Sequence, residues 1–189
     1  EKQRAFVRDL LDQAGIPALA PGEEERIYQE YMTRERNYTP EGAAKFIDVT
    51  LRHDKVNLVV SALGAPPGEA VREFRKRGIR VGGMCGNLAH ARHQLAVGVD
   101  LLIAQGTEAG GHTGTISTMV LVPQVVEAAG DIPVLAAGGI SRGSHIAAAL
   151  ALGAQGVWCG TIWLGTRESE LSPMEKQVLF RARAEDAVV

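Results

Sequence analysis

From residue 57 onward the chain repeats one grammar: a short apolar run, a glycine-bearing turn, then a helical stretch. The apolar runs fall at 57–61, 79–83, 100–105, 132–137 and 154–160, and helical stretches at about 67–77, 87–97, 121–129 and 143–152 lie between them. The runs are continuous rather than alternating. That is the pattern of strands covered on both faces, as in a parallel sheet. Strand, helix, strand repeated five times restricts the fold to a doubly wound α/β sheet or a (β/α)8 TIM barrel. The punctuation has chemical reasons. Pro66-Pro67 fixes φ and suits a loop or a first turn. Ala147-Ala148-Ala149-Leu150-Ala151-Leu152 is strong helix former, stopped by Gly153. Pro123 is expected in the first turn of its helix.

Residues 1–56 are different. They are rich in charge, read as helices at about 2–14, 23–35 and 40–53, and show no strand pattern. They are expected to form a helical insertion or cap, with 57–189 as the α/β part. After Arg167 the chain is again charged and helical, and Ser172-Pro173-Met174-Glu175 reads as a helix start. A full barrel usually needs roughly 250 residues. Five units do not close one, so the chain is either an open sheet or an incomplete, C-terminal portion of a barrel. It opens on Glu1 rather than methionine, as after processing or trimming.

The bulk numbers exclude some partners. A net charge of −2 and a pI of about 6.2 argue against nucleic acid or an anionic membrane surface. No run is long and apolar enough to span a bilayer, and no signal peptide is read at the start. Two distant cysteines, Cys85 and Cys159, suit a reducing compartment, so a cytoplasmic location is expected.

Chemistry concentrates after the third run. Gln105-Gly106-Thr107-Glu108-Ala109-Gly110-Gly111-His112-Thr113-Gly114 holds four glycines in ten residues. Such a stretch cannot form a stable helix, but it lets backbone approach a ligand closely and carries one imidazole, His112. A tight turn with an exposed histidine is the plainer alternative. The fourth run ends in Gly138-Gly139 before Ser141-Arg142-Gly143-Ser144 and the alanine helix, and open backbone N–H groups at a helix start bind phosphate. Ser141 or Ser144 is placed to cap that helix or to donate to a phosphate. The fifth run ends Trp158-Cys159-Gly160-Thr161, a second glycine–hydroxyl pair. Two such ends in consecutive units match the phosphate-binding pattern of the last barrel strands.

Taken together, Gln105 to His112, Ala136-Ala137-Gly138-Gly139-Ile140 and Gly160-Thr161 resemble the nitronate monooxygenase (2-nitropropane dioxygenase) family of FMN-dependent TIM-barrel flavoproteins. The resemblance spans about residues 57–166. It implies that Gln105, Gly106 and Gly110 contact FMN, and that Gly138 and Gly139 hold its phosphate with help from Trp158, Cys159, Gly160 and Thr161. It makes His112 the catalytic histidine. The implied reaction oxidises an alkyl nitronate with O2 to a carbonyl compound and nitrite, with the redox chemistry belonging to the cofactor. An imidazole can serve there as a base when neutral or as a donor when protonated. The family's first strands have no counterpart before residue 57, so the chain reads as the later part of such a barrel.

Other readings stay open. Glu108 to Gly114, followed by Ser117-Thr118-Met119, also resembles the FMN-dependent enoyl-acyl-carrier-protein reductases, and NAD(P)H:quinone reductases are a third option. A requirement for NAD(P)H separates both from the monooxygenase. An inactive barrel fragment acting as a binding or assembly module is the reading from another class, and bound flavin counts against it. Glu108 either orients His112 or caps the turn, with the structural role preferred. His90 and His93, with Cys85 nearby, have a metal-like composition, but a solvated helix face is the preferred reading. No metal site is expected.

Overall fold

The computed structural model describes residues 2–13, 15, 17, 20–33 and 40–186. The chain divides into two compact units, residues 1–46 and 47–189. The first holds α1 (Lys2–Gln13), α2 (Glu23–Thr33) and the start of α3 (Pro40–Leu51). These helices fall where the charged segments placed them. On α2, Arg26 pairs with Glu23 at 3.6 Å and with Glu30 at 3.5 Å. Exposed pairs of this kind stabilise a helix by only a few tenths of a kcal/mol, about 0.3–0.5 each. Among the described residues before 57 there is no strand. The end of α3 belongs to the second unit, where Ile47 and Leu51 pack against its core.

That second unit is a five-stranded parallel sheet of β1 (Leu58–Ser61), β2 (Arg80–Cys85), β3 (Leu101–Gln105), β4 (Val134–Ala137) and β5 (Gly156–Trp158). Its spatial order is the chain order, β1-β2-β3-β4-β5. A doubly wound sheet reverses direction at a switch point. Here every strand adds on the same side, so the sheet is an arc of a (β/α)8 barrel. The register pairs Val59 with Val81, Gly83 with Leu102, Leu102 with Val134 and Ala136 with Val157.

Alternation along the strands sorts residues between two layers. Val81, Cys85, Leu102, Ala104, Val134 and Ala136 face α4 (Gly68–Lys76), α5 (Leu88–Val97), α6 (Thr118–Ala129) and α7 (Gly143–Ala151). They meet Ala70, Val71 and Phe74 of α4 and Leu121, Val122 and Val125 of α6, all buried. Burying each large apolar side chain is worth about 1.5–3 kcal/mol. The opposite face is the barrel interior. There Gly82 and Gly156 leave room for their neighbours. A Cβ at Gly82 would sit 3.2 Å from Val60, and one at Gly156 would sit 3.0 Å from Leu135.

Two expectations need correcting. Thr118 opens α6, so Pro123 lies inside the helix rather than in its first turn. Its missing N–H therefore costs one internal hydrogen bond. The helix begins early because the Glu108 carboxylate accepts from the Thr118 N–H at 2.8 Å, satisfying a donor at the helix start. The fifth strand is shorter than its apolar run, because Gly160 turns the chain into α8 (Thr161–Leu164), which the sequence pattern did not show. The tail behaves as read. In α9 (Pro173–Arg181) Ser172 and Glu175 cap one another, with Pro173 at the first position.

Candidate active site

The carboxyl ends of β1 to β5 and the loops after them enclose two cavities. This is where a parallel barrel places its chemistry. The larger is about 670 Å3, the smaller about 380 Å3, and both are lined by Met84 and Gln105, at the ends of β2 and β3.

The larger chamber is made mostly of backbone and small side chains. Gly110, Gly138, Gly139 and Gly160 line it, with Ser141 and Thr161 as hydroxyls and Ile140, Trp158 and Ile162 as apolar walls. Gly138 and Gly139 have φ of +111° and +67°, the left-handed region where side chains are strained. The turn they make brings β4 against the glycine loop. A Cβ at Gly138 would stand 2.6 Å from Thr118 Oγ1, and one at Gly139 3.2 Å from Glu108 Cβ. At the other wall a Cβ at Gly110 would stand 3.3 Å from Thr161 Oγ1.

Of the residues singled out from the sequence, Gln105, Gly110, Gly138, Gly139, Trp158, Cys159, Gly160 and Thr161 come together here. Gly106 does not line the chamber. It is buried, its N–H donates to Ala137 O at 2.9 Å, and a Cβ there would lie 2.1 Å from Thr118 Oγ1. Its role in the structure is close packing of loop on helix. Neither Ser141 nor Ser144 caps α7: the cap position is Arg142, with no side-chain cap bond. Instead the Ser141 N–H donates to His145 Nδ1 at 3.2 Å.

Glu108 is tied down locally. Its carboxylate accepts from the Thr118 hydroxyl at 2.6 Å as well as from the Thr118 N–H. Partial burial pulls its pKa up, but the Thr118 hydrogen bonds outweigh that and hold the carboxyl below its ordinary value. It therefore caps α6 and locks the loop, and this clamp is the structural role preferred from the sequence.

The smaller chamber adds side-chain groups to a lining that also contains Gly64, Gly86 and Gly114. His112 lines it together with His90, His93, Leu63, Thr113 and the buried Gln94. The Gln94 amide donates to Gly64 O at 3.1 Å and Met84 O at 3.2 Å, pinning the β1 loop to the end of β2. Cys85 is not part of this group. Its thiol is buried against Ile103 O, and burial pushes it up to about 12. Among the described residues no three His, Cys, Asp or Glu side chains are placed to hold a metal ion. Sequence reasoning missed Met84 and Leu63. Their only signal was position at a strand's carboxyl end, which depends on register rather than on local pattern.

Comparison with known proteins agrees with this architecture. The sequence profile of the nitronate monooxygenase family matches residues 15–189. A Mycobacterium tuberculosis protein named "Putative monooxygenase Rv1533" is 47% identical over 188 residues, all of this chain and 48% of that protein. A Rhodococcus jostii 5-hydroxy-7a-methyl-1-oxo-octahydro-1H-indene-4-carboxyl-CoA dehydrogenase is 40% identical over 143 residues, 76% of this chain and 40% of that protein. Among solved structures, nitroalkane oxidase from Streptomyces ansochromogenes superposes with a TM-score of 0.67 at 38% identity, covering 72% of this chain and 42% of its own. The chain thus spans about half the length, or less, of these relatives. With its motifs in order on an arc of parallel barrel and the profile match over 15–189, the chain belongs to the nitronate monooxygenase family.

Proposed function

We propose that this chain carries the flavin site of an FMN-dependent oxidoreductase that oxidises alkyl nitronates with O2 to a carbonyl compound and nitrite. One observation carries the reading. The chamber holding His112 and the glycine-walled chamber share the Met84–Gln105 wall, so an imidazole stands beside a space of cofactor size.

The larger chamber fits FMN. Its volume is within the range of cofactor sites. Gly110 keeps backbone bare across from Thr161, Gly138 and Gly139 let the β4 turn close against the glycine loop, and Ile140 and Trp158 supply apolar surface. The first-turn N–H groups of α7, uncapped by a side chain at Arg142, suit a phosphate. When bound, the flavin supplies the electron transfer between nitronate and O2. The protein's share is positional. Gln105 offers its amide at the boundary between the chambers. His112 faces the substrate side, where a neutral imidazole takes a proton and a protonated one donates to the nitronate oxygen.

The dehydrogenase relative supports a second reading, in which a carboxyl-CoA compound is the substrate. Spectroscopy separates the two: flavin bleached by a carboxyl-CoA compound and not by ethyl nitronate would select the second. The intact purified protein is expected to show a flavin absorption spectrum that bleaches with ethyl nitronate under anaerobic conditions and returns with air. Bleaching that requires NADH or NADPH transfers the site to the reductases, and the absence of any flavin leaves the binding-module reading.

A further inference from the structure

The smaller chamber contains more recognition chemistry than His112 alone accounts for. Its polar side chains include three imidazoles, and none of the described residues lining it is Asp, Glu, Lys or Arg. Two of those imidazoles, His90 and His93, come from α5 and the third from the loop after β3, and all three residues are exposed at the chamber. His90 is held in place. Asn87 caps α5, its Oδ1 accepting the His90 backbone N–H at 2.8 Å. With Oδ1 engaged, the amide nitrogen is turned toward His90 Nε2, 3.3 Å away. An amide nitrogen only donates, so this pair forms a hydrogen bond in the tautomer whose ring proton is on Nδ1. The cap thus presets His90 as a hydrogen-bond donor through Nδ1–H. Leu63 and Met84 supply apolar wall in the same space. The chamber offers N–H donors and apolar surface, with neither a carboxylate to repel an anion nor a Lys or Arg to attract one.

We infer that His90 is a second substrate-contacting residue, donating from Nδ1 to an oxygen of a small organic anion held across from His112, with the anion's alkyl part on Leu63 and Met84. The identity of the anion as a nitronate rests on the function proposed above; the His90 contact does not.

The test uses the intact, flavin-loaded protein and propionate, an unreactive carboxylate with two oxygens and a short alkyl group. Propionate is expected to shift the ring carbon-bound proton NMR signals of both His90 and His112. His90→Ala keeps the Asn87 cap, which uses the backbone N–H, so flavin retention should not change. It should weaken propionate about tenfold and raise KM for ethyl nitronate by a similar factor, the usual cost of one hydrogen bond to a charged group, while kcat stays near the wild-type value. His90→Gln, which keeps an N–H donor, should recover part of the loss. Failure of propionate to bind, a shift confined to His112, or unchanged propionate affinity and KM in His90→Ala would each overturn the inference. Weakened propionate binding in a protein that does not oxidise nitronate sustains the His90 contact and removes the nitronate reading. Nitronate turnover with unaltered KM in His90→Ala does the reverse.

Discussion

The two chambers share a wall yet are built from different materials. The larger is a backbone structure: glycines at 110, 138 and 139 and short side chains form its surface, and its shape depends on loops touching without Cβ atoms between them. The smaller also rests on glycines, with a Cβ at Gly114 only 2.4 Å from Gly86 O, but its functional groups are side chains, the imidazoles of His90, His93 and His112. The difference separates two kinds of sensitivity. Altering the glycines of the first should disturb fold and cofactor retention together, while altering the imidazoles of the second should change chemistry and leave the fold alone.

The largest effect is expected at Gly106. A Cβ there would lie 2.4 Å from the Thr118 backbone N and 2.5 Å from Thr118 Cα, so the loop must leave the helix. Gly106→Ala should cost about 3 kcal/mol, the upper range for overpacking, and lose flavin as well. Urea unfolding and bound-flavin content measure the two effects. Near-normal stability would show that the loop is loosely held and that the larger chamber is not the rigid one. Gly139→Val comes next. It places a β-branched residue at φ +67° against Glu108 Cβ, and should abolish flavin retention in a protein that still unfolds cooperatively. Flavin kept in that variant would move the phosphate site elsewhere.

His112→Ala probes the other side of the comparison. Flavin content and unfolding midpoint should match the wild type, while kcat with ethyl nitronate falls about a hundredfold or more, as for loss of a proton-transfer group. Unchanged turnover would take His112 out of the mechanism and leave the smaller chamber as a binding space only.

The sequence made the backbone chamber legible and the side-chain chamber only partly so, for one physical reason. Glycine pairs at strand ends are local signals: β3 was read at 100–105 and forms at Leu101–Gln105, and α7 was read at 143–152 and forms at Gly143–Ala151. The pairing of elements is not local. Met84 joins the chambers because the register sets Met84 of β2 beside Ile103 of β3. His90 lines one because α5 packs over β2 and β3, while remaining exposed as the solvated helix face read from the sequence requires. Thr118 as the partner of Glu108 was equally hidden. Nine residues of glycine-rich loop separate them, and nothing in that loop's composition states how it closes. Gly106 shows the converse. Its place in a glycine motif suggested ligand contact, and its burial under Thr118 gives it a packing role that the motif alone could not distinguish.

The smallest effect tests the Glu108–Thr118 clamp, which joins the two kinds of structure by fixing the loop that bears His112. Thr118→Val removes the hydroxyl donor at 2.6 Å and leaves the backbone donor, so it should cost about 1 kcal/mol at neutral pH. The cost should depend on pH with a definite sign. Glu108 has its carboxyl held below the ordinary value in the folded protein. A depressed carboxyl contributes stability above the unfolded pKa, about 4.3, and loses it as pH falls through the lower folded value. Urea midpoints of wild type and Thr118→Val should therefore be furthest apart above about pH 5 and draw together in acid, because protonated Glu108 accepts from Thr118 only through a weaker, uncharged hydrogen bond. A gap that stays constant from neutral pH into acid would mean that the Thr118 hydroxyl stabilises through its contacts with Ala137 O and Gly138 O, at 3.4 and 3.3 Å, rather than through Glu108. The clamp would then belong to the β4 turn, and the position of His112 would have to be explained by packing alone.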